Sequence, residues 1–322
     1  MTRSVARLRF RPTLESDLGE CTEMLPAWLP FDRARVQALW HALLQQPAVM
    51  STVMEDLAQP AGQRIQGWGC GLVLPPDWVA RLELGGATLQ PRAPVVPQIY
   101  AGLFDGGLVP PTDREAGVLN ASGRVHFFNL HYVQRVADLR DDYALAVLNV
   151  ANEAFRVAAS GWRLHAMHFE SSARDAPMFA SAGFPIVPYA ERGPWDDGPD
   201  DRRPLFLGIT REQARASLPG TSVRHAFEHQ TPRFRLSAAQ RRLLWHALFD
   251  ESDEHLMRVL DVSVHGLKKL WRGIYERIED AEPEFFGDAG GDDEGRRGPE
   301  KRRQVLAYVR QRPEERRPWA EI

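Results

Sequence analysis

The chain has 322 residues, of which 43% are hydrophobic and 26% charged, and its formal net charge at pH 7 is -3. Such a composition indicates a globular protein, its length favours two domains, and its charge excludes a chain that is basic throughout. Two cysteines, Cys21 and Cys70, exclude a disulfide framework and a cysteine-based metal site. The sequence shows neither an apolar run of membrane-spanning length nor a signal peptide, which predicts a cytoplasmic protein without a membrane partner.

The first part of the chain alternates between short strands and helices. Period-two alternation of apolar residues predicts strands, and apolar residues at helical spacing predict helices. The pattern gives a strand over 7–11, a helix from Asp17, a helix over 32–44, a glycine-rich strand over 64–74 and a short helix at Trp78. Proline and glycine are then frequent over 89–111, which predicts a long irregular connection.

A clearer run of elements follows. The pattern predicts a strand over 125–133, a helix over 141–159, a strand over 162–170, a short helix over 173–182 and a strand over 205–209. Gly161 ends the long helix, and Gly183-Phe184 follows the short one. This strand–helix–strand–helix–Gly-Phe–strand order resembles the second half of the GNAT acyltransferase fold, and the opening strand with Asp17 resembles its beginning.

The GNAT resemblance implies a ligand loop after the central strand. In that family a Gln/Arg-x-x-Gly-x-Gly/Ala loop holds the pyrophosphate of acyl-CoA through backbone N–H groups and the following helix N-terminus. The equivalent stretch here is 134–140, and the candidate ligand contacts are Gln134, Arg135 and Arg140. Ala137 and Leu139 stand in place of both glycines, so their side chains crowd the phosphate path.

The family's proton donor to the leaving thiolate is a tyrosine just ahead of the Gly-Phe. The matching position in this chain is Phe179, which has no hydroxyl and cannot act as a general acid. The sequence therefore predicts no catalytic residue and no cofactor, with acyl-CoA binding as the alternative.

Four histidines fall on the two central strands: His126, His131, His165 and His168. Because side chains alternate along a strand, an odd separation sends His165 and His168, and likewise His126 and His131, to opposite faces. The spacing therefore predicts no clustered metal site.

A third group of elements, all helical, occupies residues 236–278. Ser252 is a good N-cap for a short helix, the turn is Asp261-Val262-Ser263, and a second helix covers 264–278. The segment resembles the LuxR-type helix-turn-helix family at Leu236-Ser237, at 252–257 and at Leu267-Lys268. The resemblance implies that the exposed side of the second helix contacts DNA through His265, Lys268, Lys269 and Arg272. An acidic loop over 279–295 and a basic helix after Pro299 follow.

These observations give the fold class α+β, in which a GNAT-like mixed α/β domain precedes an all-α helix-turn-helix domain. The predicted boundaries are 1–209 for a sensor or dimerisation domain, 210–235 for a linker and 236–322 for the LuxR-like domain with its basic C-terminal helix. The predicted function is a DNA-binding transcription regulator whose partners are double-stranded DNA, a small-molecule ligand and a second copy in a homodimer. Two alternatives stay open, namely an acyl-CoA-dependent N-acyltransferase fused to a DNA-binding domain, and a protein-interaction module without DNA binding.

Overall fold

The computed structural model describes residues 7–26, 29–86, 89–249, 251–287 and 294–320. Seven strands form one sheet in the described part of the chain. They are β1 (Leu8–Pro12), β2 (Val49–Asp56), β3 (Ile65–Val73), β4 (Val125–Gln134), β5 (Leu164–Ser172), β6 (Ile186–Val187) and β7 (Pro204–Thr210). The helices of this unit are α1 (Leu18–Glu23), α2 (Arg33–Leu43), α3 (Pro76–Arg81), α4 (Val96–Asp105), α5 (Asp113–Ser122), α6 (Asp142–Ala159), α7 (Ala176–Ser181), α8 (Arg211–Ala216) and α9 (Ser222–Ala226).

The sheet order is β1-β2-β3-β4-β5-β7-β6. Neighbouring strands are antiparallel except β4 and β5, which are parallel and are joined by the crossover helix α6. One parallel pair at the centre of a mixed sheet, with helices on both faces, gives the GNAT-like fold. The α+β class predicted from the sequence is confirmed.

Apolar cores cover both faces of the sheet. Helices α1 to α4 pack on one face, where Trp40, Trp68 and Phe128 are fully buried. Helix α6 packs on the other face, with Val147 against Met54 of β2. Burial of such large apolar side chains is the main favourable term in folding, at roughly 1.5–3 kcal/mol for each of the ordinary size.

The structure differs from the sequence prediction over 89–111, where it contains helix α4 instead of a purely irregular connection. Pro97 lies in the first turn of α4, where its missing N–H costs no helical hydrogen bond. Gly106 ends the helix in a left-handed conformation, at φ 75°. Thr112 then caps α5 in a reciprocal capping box with Glu115.

The second unit is all-helical. It contains α10 (Ala238–Ala247), α11 (Asp253–Leu260), α12 (Val264–Ala281) and α13 (Glu294–Gln311) around an apolar core of its own. The segment over 210–235 holds α8 and α9, and Val223 and Phe227 of this segment are buried in the core of the α/β unit. After α13 the chain returns to the α/β unit, where the Asn120 side chain donates to the carbonyl of Pro318 at 2.9 Å. No helix in the described residues has the length and apolar character needed to span a bilayer.

Candidate functional site

Strands β4 and β5 separate along their length and leave a cleft between them. Their pairing runs from Val125 opposite Leu164 to Asn129 opposite Phe169, and the later residues of β4 pair with β3 alone. The backbone edge of β4 that would face β5 therefore opens into the cleft. Its volume is about 610 Å³, and its walls come from β4, the β4–α6 loop, β5 and α7.

An irregularity in β4 helps to separate the strands. Cys70 of β3 pairs with His131 while Gly71 pairs with Asn129, so Leu130 is an extra residue on β4. Such a bulge bends a strand and redirects its side chains. Beyond it, His131 packs with the core of α1 to α4, and Tyr132 contacts the core on the α6 face.

His131 takes part in a buried chain of hydrogen bonds. The indole of Trp40 donates to the hydroxyl of Tyr100 at 2.9 Å, and that hydroxyl lies 2.7 Å from Nε2 of His131. Because the Tyr100 oxygen accepts from Trp40, its own proton is directed to Nε2. Burial lowers the pKa of His131 to about 3, which keeps the ring neutral. This chain fixes the ring beside the cleft.

Glu170 supplies a buried carboxyl group to the opposite wall of the cleft. It lies on β5 immediately after the last residue that pairs with β4, and it is only 1% exposed. One oxygen accepts from the N–H of Val95 at 2.7 Å and from the Tyr189 hydroxyl at 2.7 Å, and the other accepts from the N–H of Val96 at 2.8 Å. Burial raises the pKa of Glu170 to about 7, although these three hydrogen bonds lower it.

Tyr132 supplies a hydroxyl to the β4 wall. The hydroxyl donates to Oε1 of Gln134 at 2.5 Å, and the ring lies edge-on to Phe179 with centroids 6.3 Å apart. Burial raises the pKa of Tyr132, so the group keeps its proton at neutral pH and remains a hydrogen-bond donor. The sequence did not single out this tyrosine, because it lies on β4 and not at the family's position on the short helix.

Phe179 lies where the resemblance predicts the family's tyrosine. It lines the cleft and packs on Phe169 of β5, with ring centroids 4.2 Å apart. Its ring contributes only apolar surface to this wall.

The three predicted loop contacts do not converge on one ligand position. Gln134 is held by Tyr132 and donates to the carbonyl of Val136. Arg135 turns toward β3 and α1, where it donates to the carbonyl of Ile65 at 2.7 Å and pairs with two glutamates of α1. Arg140 lines the cleft, is 92% exposed and forms an ion pair with Asp138 at 2.9 Å.

The backbone donors of this loop are already used by the chain's own carboxylates. Asp141 caps α6 and accepts from the N–H groups of Tyr143 at 2.7 Å and Ala144 at 3.2 Å. Asp138 accepts from the N–H of Arg140 at 3.1 Å. A pyrophosphate therefore does not fit here as it does in the family's loop, because carboxylates occupy the donors that would hold it. Beyond Asn129, β4 forms no strand pairing with β5.

An apolar cavity of about 270 Å³ adjoins the cleft on the α6 face and shares five lining residues with it. The shared residues are His131, Tyr132, Phe169, Met178 and Phe179. Gly69 and Gly71 of β3 also line it. Because alternate residues of a strand share a face, these two glycines leave the sheet without side chains at their positions beneath α6.

The histidines of β4 and β5 lie closer together than the spacing predicted. Nδ1 of His126 is 3.1 Å from Nε2 of His168, and the rings of His126 and His165 are 4.9 Å apart between centroids. An irregularity pairs Val125 with Leu164 but His126 with Ala166, so the alternation that separates His165 from His168 is broken. Within the described residues no cluster of His, Cys, Asp or Glu is arranged to hold a metal ion.

The four predicted DNA contacts lie on α12. His265, Lys268, Lys269 and Arg272 are all exposed, while Leu267, Trp271 and Ile274 of the same helix are buried against the helical core. Ser263 caps this helix through the N–H of Gly266 at 3.1 Å. Contact between these four side chains and DNA remains an untested prediction.

Comparison with known proteins gives matches among solved structures alone. No family model and no curated protein matches the chain. A mutant of the spermidine N-acetyltransferase SpeG from Vibrio cholerae is 12% identical, with 65% of this chain and 96% of that chain covered and a TM-score of 0.35. A Corynebacterium glutamicum protein titled histone acetyltransferase HPA2 and related acetyltransferase is 16% identical, with coverages of 63% and 95% and a TM-score of 0.34. At these values no residue role can be transferred from either protein.

The prediction of a LuxR-type transcription regulator is wrong. Both of these solved structures are acetyltransferases, and they give no support to a LuxR-type domain at the C-terminus. The strand order of the α/β unit is that of a GNAT-like fold. The sheet and the cleft are present although the two loop glycines and the helix tyrosine of the GNAT pattern are absent.

Proposed function

We propose that the protein is an acyltransferase whose thioester donor lies in the cleft between β4 and β5. The observation that carries this proposal is the separation of the two parallel strands after Asn129 and Phe169. Beyond these residues β4 has no strand pairing with β5, and an extended donor arm containing amides can lie along such an edge as an added strand does. A fold alone does not define a function, so the proposal rests on the cleft and its groups.

The acceptor that best suits the cleft is an amine. Four carboxyl groups line the cleft, those of Asp138, Glu170, Asp175 and Asp201, against the two guanidinium groups of Arg140 and Arg174. An acidic cleft attracts a cation. A primary amine arrives as an ammonium ion and must lose a proton before it can attack.

Glu170 is the group we assign as general base. A base works best when its pKa is near the working pH, and burial brings this carboxyl to about 7. It accepts the proton of the ammonium group, and the neutral nitrogen attacks the thioester carbonyl carbon. The carbon–nitrogen bond forms as the carbon–sulfur bond breaks.

Tyr132 is the group we assign as general acid. Its hydroxyl lies on the β4 wall and donates a proton to the sulfur as the thiolate leaves. After the attack the nitrogen still carries a second acidic proton, which it loses to solvent as the amide forms. Glu170 then releases its proton to solvent and Tyr132 regains one, so each cycle releases one proton overall.

The test measures free thiol released from S-acetylpantetheine and from acetyl-CoA by the full chain, with a panel of primary amines that includes spermidine. We expect thiol release that depends on the amine and is lost in Glu170→Gln. Lys269→Gln is the matched control, because Lys269 is exposed on α12 away from the cleft. Amine-dependent release that is equal in wild type and Glu170→Gln contradicts the assignment of the base, and no release with any amine contradicts the function.

A further inference from the structure

The apolar cavity on the α6 face takes no part in the transfer steps described above. Its floor comes from β2, β3 and β4, and its walls come mainly from α6 and α7. Most of the lining side chains are aliphatic or aromatic, and no Asp, Glu, Lys or Arg is among the described lining residues. Burial of a charged group there would cost free energy, so the cavity suits an uncharged, apolar part of a ligand.

The cavity meets the cleft at Tyr132. This residue lines both spaces, whereas Glu170 lines the cleft and not the cavity. A Cβ atom at Gly69 would lie 4.0 Å from Cδ2 of Tyr132, so the part of the β3 floor without a side chain lies beside this ring. Tyr132 is the residue assigned to the sulfur of the donor, and Glu170 is the residue assigned to the amine. The cavity therefore adjoins the donor side of the site.

The cavity follows α6 for about two helical turns. Leu148 and Phe155 both line it, and at 1.5 Å per residue they are roughly 10 Å apart along the helix axis. Aromatic rings close the end away from Tyr132. Phe155 and Phe184 meet edge-on there, with ring centroids 6.2 Å apart. The space is thus elongated, with one end at the reacting sulfur and the other among aromatic rings.

The volume of the cavity sets the length of chain that it can hold. An apolar cavity of roughly 150 Å³ is large enough for benzene, which has six carbons. At about 270 Å³ this cavity therefore has room for roughly eight to ten carbon atoms of an alkyl chain. Asn149, Asn152 and Ser181 form an exposed polar rim. Carbons beyond the capacity of the cavity meet this rim and water.

We propose, on the basis of the acyltransferase function proposed above, that the cavity holds the alkyl chain of a medium-chain acyl thioester. The thioester carbonyl lies beside Tyr132 in the cleft, and the chain passes over Gly69 into the space beneath α6. Each CH₂ group that leaves water for this space strengthens binding by up to about fourfold. Acetyl donors fit the same site but leave the cavity unused, so donors with about six to ten acyl carbons are preferred.

The test is calorimetric titration of the full chain with thioethers of pantetheine. The probes are S-ethyl-, S-octyl-, S-decyl- and S-dodecylpantetheine, which carry the donor arm but have no carbonyl group and cannot be transferred. We expect the Kd to fall at least tenfold from the ethyl to the octyl thioether, because six more carbons leave water. No further fall is expected from the decyl to the dodecyl thioether, because the added carbons reach the polar rim.

Two variants fill the cavity from opposite sides. Gly69→Val adds a side chain to the floor, and Ala158→Leu enlarges one on α6. Each raises the Kd of S-octylpantetheine at least tenfold, because the displaced carbons return to water. Ala146→Leu is the matched control, since Ala146 lies on the same helix but outside the described lining of the cavity, and it leaves this Kd unchanged. Either variant keeps the test decisive if the other fails to fold.

Equal Kd values for the ethyl and octyl thioethers overturn the assignment of the cavity and leave the donor site in the cleft intact. A gain with chain length that persists in both filled variants also overturns it, because the chain then lies elsewhere. No binding of any thioether overturns it together with the donor site. Since the thioethers bind without reacting, these outcomes are separate from the release of thiol in the acyltransferase test.

Discussion

Asn129 on β4 and Phe169 on β5 are the last pair of residues that join the two parallel strands. Everything assigned to the reaction lies just beyond this pair: Tyr132 on the β4 wall, Glu170 on the β5 wall, and the open edge of β4 between them. The separation of two strands thus brings an acid, a base and a row of backbone donors and acceptors to one cleft.

Replacing Glu170 by Gln removes the proposed base. We expect kcat/KM to fall by about 10²–10⁴, the usual contribution of a positioned acid or base. In the wild type, kcat/KM rises as the pH increases through about 7, because only the deprotonated carboxylate accepts a proton. A pH–rate profile from pH 5 to 9 in wild type and variant checks both statements.

Tyr189→Phe is a second variant that tests the role of Glu170. It removes the hydroxyl that donates to Glu170 and lowers its pKa, so the midpoint of the pH profile moves upward while catalysis persists. If Glu170 is only a structural anchor for the N–H groups of Val95 and Val96, the midpoint does not move. An unmoved midpoint contradicts the role of Glu170 as base.

Replacing Tyr132 by Phe removes the proposed acid. The ring and its contact with Phe179 are kept while the proton donor is lost, so kcat falls by about 10²-fold and KM changes little. Steady-state kinetics with a thioester of a more acidic thiol give a second readout. A better leaving group needs less protonation, so the deficit of the variant becomes smaller, and an unchanged deficit argues against this role.

A valine at Gly69 fills part of the apolar cavity. A Cβ at Gly69 meets the Thr52 hydroxyl at 3.7 Å, an ordinary contact, so the variant is expected to fold. We expect the variant to keep its activity with acetyl thioesters and to lose it with hexanoyl thioesters, because a longer acyl chain needs the cavity. Gly71→Ala is the contrasting variant, since its Cβ lies 2.5 Å from the carbonyl oxygen of Phe128 and must displace the backbone. Equal loss of both substrates in Gly69→Val contradicts the role of the cavity.

Much of the fold can be predicted from the sequence, because local sequence patterns define its main elements. β4, α6 and β5 each carry a strong apolar period, and Asp141 and Gly161 lie at the two ends of the long helix, so their order predicts the parallel pair. The alternation of glycine with larger residues over 67–71 predicts a strand but not the cavity, which depends on α6 packing above it.

The candidate site could be predicted much less well from the sequence. It depends on irregular strand pairing and on burial by residues that are distant in the chain. The bulge at Leu130 and the break between Val125 and His126 change which face each side chain occupies, and a regular period does not predict them. The carboxyl of Glu170 meets Val95 and Val96, 75 and 74 residues earlier in the chain, so its raised pKa arises only after folding. The GNAT-type motif at Phe179 therefore does not predict Glu170, whose carboxyl group the fold buries in the cleft.

Replacing Arg11 by Met breaks a buried ion cluster at the edge of the sheet. Arg11 contacts Asp17 at 2.6 Å and Glu55 at 3.0 Å, and all three side chains are nearly inaccessible to solvent. Loss of the cation leaves two buried carboxylates without their shared partner, which lowers the free energy of unfolding by about 3–5 kcal/mol. Urea unfolding of wild type and variant measures this difference. A difference within about 0.5 kcal/mol, typical of a surface substitution, contradicts the importance of the cluster.

The most direct test of the central claim compares two donors that share the thioester arm. S-acetylpantetheine lacks the pyrophosphate of acetyl-CoA, and Asp138 and Asp141 already occupy the loop donors that would hold that group. With a saturating amine acceptor, mass spectrometry of the acetylated product measures kcat/KM for each donor. We predict acetylated product from both donors and loss of that product in Glu170→Gln. The two kcat/KM values are expected to agree within about tenfold, which corresponds to about 1.4 kcal/mol of transition-state stabilisation. If neither donor gives acetylated product, the result contradicts acyl transfer in this cleft.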